Sequence, residues 1–258
     1  MVLKWEAELY ENLLSSLEVT MGLSEGLYPY EIVLLFLGAV MFLILLIFLI
    51  YFVLKRRSIK TLLAFFSIPI IMIGYPSIQS IKFGDLIEIA KESAKQVAEK
   101  PGDKQAEENL RASLSKIEAR PIRNPAILLT LAKAHGVLGD TLESLKYADS
   151  VLAINTASPD AVNSQVRTEA VRIKTDVSIA NFREDAGDSA KHSMLVAYLR
   201  DLEKADSLDP AGFMTIARGY AALGDSSRSI FYADSALRIE PDLGEAIVLR
   251  RQMGAGNE

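Results

Sequence analysis

The chain has 258 residues, half of them hydrophobic, and a formal charge of −5, so it can hold one large domain or two small ones. No stretch concentrates lysine and arginine as a nucleic-acid surface requires. Cysteine is absent, which excludes disulfides, thiolate metal sites and cysteine nucleophiles.

The chain opens with MVLKWEAELYENLLSSLEVTMGL, in which Leu3, Leu9, Tyr10, Leu13, Leu14, Leu17 and Met21 recur at intervals of three and four. That spacing predicts an amphipathic helix within an N-terminal segment of residues 1–30. Its polar face is acidic, whereas helices lying on membranes favour lysine and arginine there. It therefore packs either on the protein's own soluble part or on a partner.

Residues 31–81 read as two transmembrane helices. Ile32 to Leu54 holds 23 uncharged residues, enough at 1.5 Å per residue to cross a hydrocarbon core of about 30 Å. The run is too long for a signal peptide and leaves no solvent face for a buried core helix. A second, shorter run spans Thr61 to Ile78, and Pro69, Gly74 and Pro76 are expected to kink or end it. Between the runs, Lys55, Arg56, Arg57 and Lys60 crowd a six-residue turn, while the N-terminal segment has Lys4 against six glutamates. The positive-inside rule puts the turn in the cytoplasm and both termini outside, in the periplasm of a bacterial inner membrane. Both spans lack ionisable groups of the kind an ion or proton pathway uses. Gly38, Ala39, Ser67 and Gly74 are small enough to allow close helix packing.

From Lys82 onward the periodicity is helical throughout. Residues 82–124 read as a helical pair, Gly84 to Lys100 and Asp103 to Ala119, with Pro101-Gly102 as the stop and Asp103 as N-cap. Residues 125–258 hold further pairs. LGDTLESLKYADSVLAI (138–154) and LGDSSRSIFYADSALRI (223–239) are identical at ten of seventeen positions, 85 residues apart. Each consists of a Gly-Asp hinge and the helix after it. A divergent pair lies between them, Asp160 to Val177 and Lys191 to Ser207, joined by an expected enlarged loop over residues 179–190.

The phase of large and small residues repeats with the hinge. Phe213, Ile216, Ala217, Tyr220, Gly224, Ser229, Ala233, Ala236 and Leu237 match Leu128, Leu131, Ala132, His135, Gly139, Ser144, Ala148, Val151 and Leu152. This pattern resembles the tetratricopeptide repeat, a two-helix unit of about 34 residues. His135 and Thr156 depart from it, standing where the family has Tyr and Pro. The resemblance implies an all-α protein, a transmembrane helical hairpin followed by a TPR-like α-solenoid of about three repeats. It also implies a concave groove lined by the first helix of each pair, which takes peptides or partner helices. The groove positions carried over are Leu129, Lys133 and Val137 from the first repeat, and Met214, Arg218 and Ala222 from the third. Lys133 and Arg218 are equivalent cations that could grip an acidic peptide or stand as ordinary solvated side chains. The branch of the family that clamps C-terminal carboxylates needs cations where this chain has Ala211 and Thr215.

No H-E-x-x-H, G-x-S-x-G, P-loop or dinucleotide-binding glycine pattern occurs. His135 falls at a packing position, and His192 opens a helix. The sequence therefore predicts a non-catalytic protein with no metal and no cofactor. Its expected partners are the lipid bilayer and other proteins, either membrane-complex subunits or periplasmic clients. The leading expectation is a membrane-anchored scaffold or adaptor in the assembly of an envelope complex. The alternatives are a permanent structural subunit of a motor, secretion or respiratory complex, and an accessory chaperone of the cytochrome c maturation type.

Overall fold

A computed structural model describes residues 25–55, 60–154, 161–205 and 208–254, and all regular structure among them is helical. The helix expected over residues 1–23 lies outside the described residues, as do Arg56 and Arg57. The chain divides after Asn124 into two units.

The first unit holds α1 (Pro29–Leu54), the short α2 (Lys60–Phe65), α3 (Ser67–Glu99) and α4 (Lys104–Glu118). α1 and the stretch from Leu62 to Glu99 are both long and apolar enough to cross a membrane. Their large apolar side chains point outward, Phe36 at 71% and Ile71 at 69% exposure. Water would penalise that surface by about 25 cal/mol per Å², whereas lipid would not.

The second apolar run does not end near Pro76. α3 continues through it as one helix of 33 residues, about 50 Å long, and includes the stretch expected to begin separately at Gly84. Pro69 sits in the first turn, where a missing N–H leaves no vacancy in the ladder. Pro76 lies in the interior. One residue on, the Ser77 hydroxyl donates to the Ile73 carbonyl at 2.8 Å, an added side-chain bond to the backbone beside the proline. What carries the helix onward is a buried stripe at seven-residue spacing: Pro69, Pro76, Phe83, Ala90 and Val97. A seven-residue repeat keeps one face toward its neighbours over many turns. The first part of this helix packs on α1 and the later part on α4. α4 answers with Ala106, Leu110, Leu114 and Ile117, and Asp103 caps it by accepting the Gln105 and Ala106 N–H groups.

α1 closely approaches α3 at Gly38. A Cβ there would lie 2.9 Å from the Met72 Cβ and 3.0 Å from the Ile73 Cγ1, so this glycine serves packing within the chain. Gly74, by contrast, has open space on its free side.

A polar knot closes the end of the hairpin. The Arg120 guanidinium donates to the Gly26 carbonyl at 2.8 Å and to Gln79 Oε1 at 2.9 Å, and lies 3.4 Å from Glu31 Oε2. It also covers the Tyr28 ring at 5.4 Å. Glu31, only 1% exposed, accepts the Tyr28 N–H at 2.9 Å, and the Tyr28 hydroxyl donates to the Ala119 carbonyl at 2.8 Å. Gly26 adopts φ +71° with the Phe83 ring where a Cβ would stand, so only glycine fits that turn.

The second unit holds α5 (Pro125–Val137), α6 (Thr141–Ala153), α7 (Ala161–Glu184), α8 (Ser189–Glu203), α9 (Pro210–Ala222), α10 (Ser226–Ile239) and α11 (Gly244–Gly254). The helices pack as pairs, α5 with α6, α7 with α8 and α9 with α10, and α7 lies against both α5 and α9. The duplicated sequence folds the same way twice. Gly139 and Gly224 take φ +77° and +79°. The Asp140 N–H donates to the His135 carbonyl and the Asp225 N–H to the Tyr220 carbonyl, each at 2.9 Å. His135 stacks on Tyr147 at 5.6 Å, and Tyr220 on Tyr232 at 5.8 Å. Ala132, Ser144 and Ala148, and their counterparts Ala217, Ser229 and Ala233, are fully buried where paired helices cross.

The enlarged loop expected over residues 179–190 is mostly helix. α7 runs on to Glu184, leaving only residues 185–188 as connection. Ile179 and Phe182 continue its apolar stripe into a core with Leu195, Leu199, Leu202, Ile216 and Tyr220. Burying those two side chains outweighs the polar composition of SIANFRE, which had suggested a loop.

Two outcomes test this packing. Gly38→Val should destabilise the hairpin by about 1–3 kcal/mol through overpacking, whereas Gly74→Val should be near neutral; thermal melts in detergent that rank them equally would contradict the contact. Arg120→Ala strands Glu31 in a buried site and should cost about 3–5 kcal/mol, measured by denaturant unfolding in micelles.

Candidate functional site

A ladder of charges runs across one face of the second unit. α7 supplies its middle because Glu169, Arg172 and Asp176 are spaced by three and four residues and share one side of that helix. Lys133 on α5 reaches Glu169 Oε2 at 2.7 Å, and Arg172 reaches the same oxygen at 2.6 Å. On the other side, Arg218 of α9 binds Asp176 Oδ1 at 2.9 Å and Glu245 Oε1 at 3.3 Å. Thr215, fully buried, donates to Asp176 at 3.1 Å and accepts from Arg218 at 3.1 Å.

Three cations thus meet three carboxylates. The two equivalent cations singled out from the sequence do share a face, but each already has carboxylate partners within the unit. An acidic ligand would have to displace those partners, which removes most of the gain expected from capture.

The remaining groove residues separate. Leu129 and Met214 are buried, the latter against Ala236 and Ala246. Ala222 packs beside the Ile179–Tyr220 core, and Val137 stays 37% exposed at the end of α5. Beside the ladder, between α5, α6 and α7, lies a cleft of about 380 Å³, with Lys133, Gly136, Ile173, Asp176, Val177 and Glu184 among its walls. Among the described residues, no three of His, Asp and Glu converge as a metal centre needs.

The electrostatics of the ladder are uneven. Burial pushes the Glu169 carboxyl up, but the hydrogen bonds from Arg172 and Lys133 outweigh it and hold the group below the usual glutamate value. Burial also raises Asp176, and there the pull of Arg218 and Arg172 does not fully offset it. Across the neighbouring core, Tyr220 and Tyr232 both donate to Glu203 Oε1, at 2.7 and 2.9 Å. Burial and that carboxylate push the Tyr232 phenol up to about 12.

Sequence reasoning missed Glu169, Arg172, Asp176 and Glu245. The spacing of the first three along α7 was visible in the chain. Their role was not, because it depends on which residues of α5 and α9 come opposite.

The two acids should respond oppositely to pH. Glu169, with its value lowered, stabilises the fold above the ordinary glutamate range, and that stability is lost as pH falls through its folded value. Glu169→Gln should therefore cost roughly 1.5–3 kcal/mol at pH 7, and the gap to the parent should close in acid. Asp176→Asn should cost less at pH 7, because burial disfavours the ionised Asp176 in the fold and offsets part of what Arg218 and Arg172 contribute. Denaturant midpoints for both variants from pH 3 to 7 measure this, and parallel curves would contradict the assignment.

Compared with known families, with characterised proteins and with solved structures, the chain matches none of their members.

Proposed function

We propose that this protein is a membrane-anchored scaffold whose second unit is a short solenoid of tetratricopeptide-like helix pairs and serves in the assembly of a bacterial envelope complex. The observation that carries this reading is the turn geometry repeated 85 residues apart, with the same glycine conformation, the same backbone hydrogen bonds and the same ring stack. Stacked helix pairs offer an extended surface for another protein, and their motif specifies packing rather than chemistry. The hairpin supports anchoring in the inner membrane, and the cluster of Lys55, Arg56, Arg57 and Lys60 in its turn supports a cytoplasmic turn with periplasmic termini. The neutralised ladder favours a partner recognised by shape and apolar contact over one recognised by its carboxylates.

Crosslinking in intact cells, followed by detergent extraction and quantitation of what copurifies, tests the proposal. The full chain should retain a protein partner, and Val137→Asp should reduce its recovery at least fivefold with the thermal melt unchanged. Recovery of this chain alone would overturn the scaffold reading. A fixed-ratio partner lost on deleting residues 1–23 would replace it with a permanent structural subunit. Protection of the C-terminal unit from protease in inside-out vesicles is expected, and digestion there would reverse the topology.

A further inference from the structure

The first unit carries a cleft that neither the groove nor the anchor uses. It measures about 270 Å³ and is walled by Glu25, Leu27, Pro29, Ile32, Pro121 and Arg123. The reading that follows rests on α1 and α3 being membrane helices.

The cleft lies where those helices change surroundings. On its outer side begins the exposed apolar face of α1, Ile32 at 38% and Val33 at 64%. Glu31, Gln79 and Arg120 form the buried polar knot, and Glu31 and Arg120 are chain neighbours of the wall residues Ile32 and Pro121. Tyr28 and Tyr30 stack beside it at 5.6 Å, and tyrosines with an apolar body and a polar tip collect at the headgroup level of a bilayer. A cleft at that level meets phospholipid headgroups at very high local concentration.

Its two charged side chains, Glu25 and Arg123, make no ion pair with each other. Glu25 accepts the backbone N–H groups of Arg123 and Asn124 through one oxygen, at 2.7 and 3.0 Å, which pins the carboxylate in the wall. The Arg123 guanidinium makes no ion pair among the described residues, although it borders the same cleft. A fixed anion and a guanidinium with no ion pair among the described residues, over an apolar floor, complement a ligand that carries both signs. The volume falls just below the roughly 300 Å³ at which small-molecule pockets begin, so it suits a headgroup, with acyl chains left to run along the exposed face of α1.

We infer that this cleft binds the headgroup of a zwitterionic phospholipid, its phosphate on Arg123 and its ammonium on Glu25. A phosphatidylglycerol headgroup lacks the ammonium and brings an uncompensated negative charge toward Glu25. A quaternary ammonium can make no hydrogen bond to the carboxylate, so a primary amine is the better fit.

Native mass spectrometry of the full chain in detergent, titrated with phosphatidylethanolamine, phosphatidylcholine and phosphatidylglycerol of matched acyl chains, tests the inference. Phosphatidylethanolamine should bind one to one and about tenfold more tightly than phosphatidylglycerol. Arg123→Gln should weaken all three lipids. Glu25→Gln keeps an acceptor for the two backbone N–H groups and should erase the preference for the amine while leaving the melt unchanged. Tighter binding of phosphatidylglycerol would reduce the cleft to a basic rim and overturn the inference, as would equal retention of all three lipids by parent and variants. A chain recovered in the soluble fraction without detergent would sink the membrane reading itself. An embedded chain without lipid preference would sink only the cleft.

Discussion

A seven-residue stripe on one helix holds the first unit together. Pro69, Pro76, Phe83, Ala90 and Val97 lie on one line along α3, which first meets the apolar α1 and then the polar α4. The same buried seam therefore crosses from an environment where outward residues are isoleucine and phenylalanine to one where they are lysine and glutamate. The inward residues stay small or apolar throughout, because packing against a neighbouring helix makes the same demand in lipid as in water. Only the outer face changes in composition along the helix.

That change creates the problem which Arg120 solves. Where the apolar face ends, the chain enters α1 through a tight turn, and its peptide groups and the Glu31 carboxylate are withdrawn from water. One guanidinium satisfies the Gly26 carbonyl, Gln79 and Glu31 together, with its flat face on Tyr28. Lysine, a point charge with no planar fork, could not hold these partners at once. The hairpin is thus tied to α3 and α4 by a buried hydrogen-bonded cluster as well as by apolar contact.

In the second unit, charge has been used to join helices rather than left free. Lys133 and Arg218 are the cations that equivalence between repeats would offer to a ligand, yet both are held by acids from neighbouring helices. Much of the fold was legible before this. The helical class and the hinge glycines at 139 and 224 were visible, as was the Asp103 cap, because each depends on local spacing or on one residue's φ preference. The length of α3 and the end of α7 were not visible. Pro76 and the polar stretch after Ile179 both read as breaks by local propensity, and both were overruled by side chains, Phe83 and Phe182, that gain burial only if the helix continues.

The sequence by itself determined two apolar runs long enough for a bilayer, an all-helical remainder and a twice-written turn, since hydrophobic period and glycine conformation act within a few residues. Tertiary structure alone decided that Gly38 is a crossing point while Gly74 is open, that Glu25 and Arg123 share a cleft, and that the groove cations are neutralised. Each of those depends on residues far apart in the chain being brought within a few ångströms. No local pattern encodes that distance; it appears only once the helices have packed.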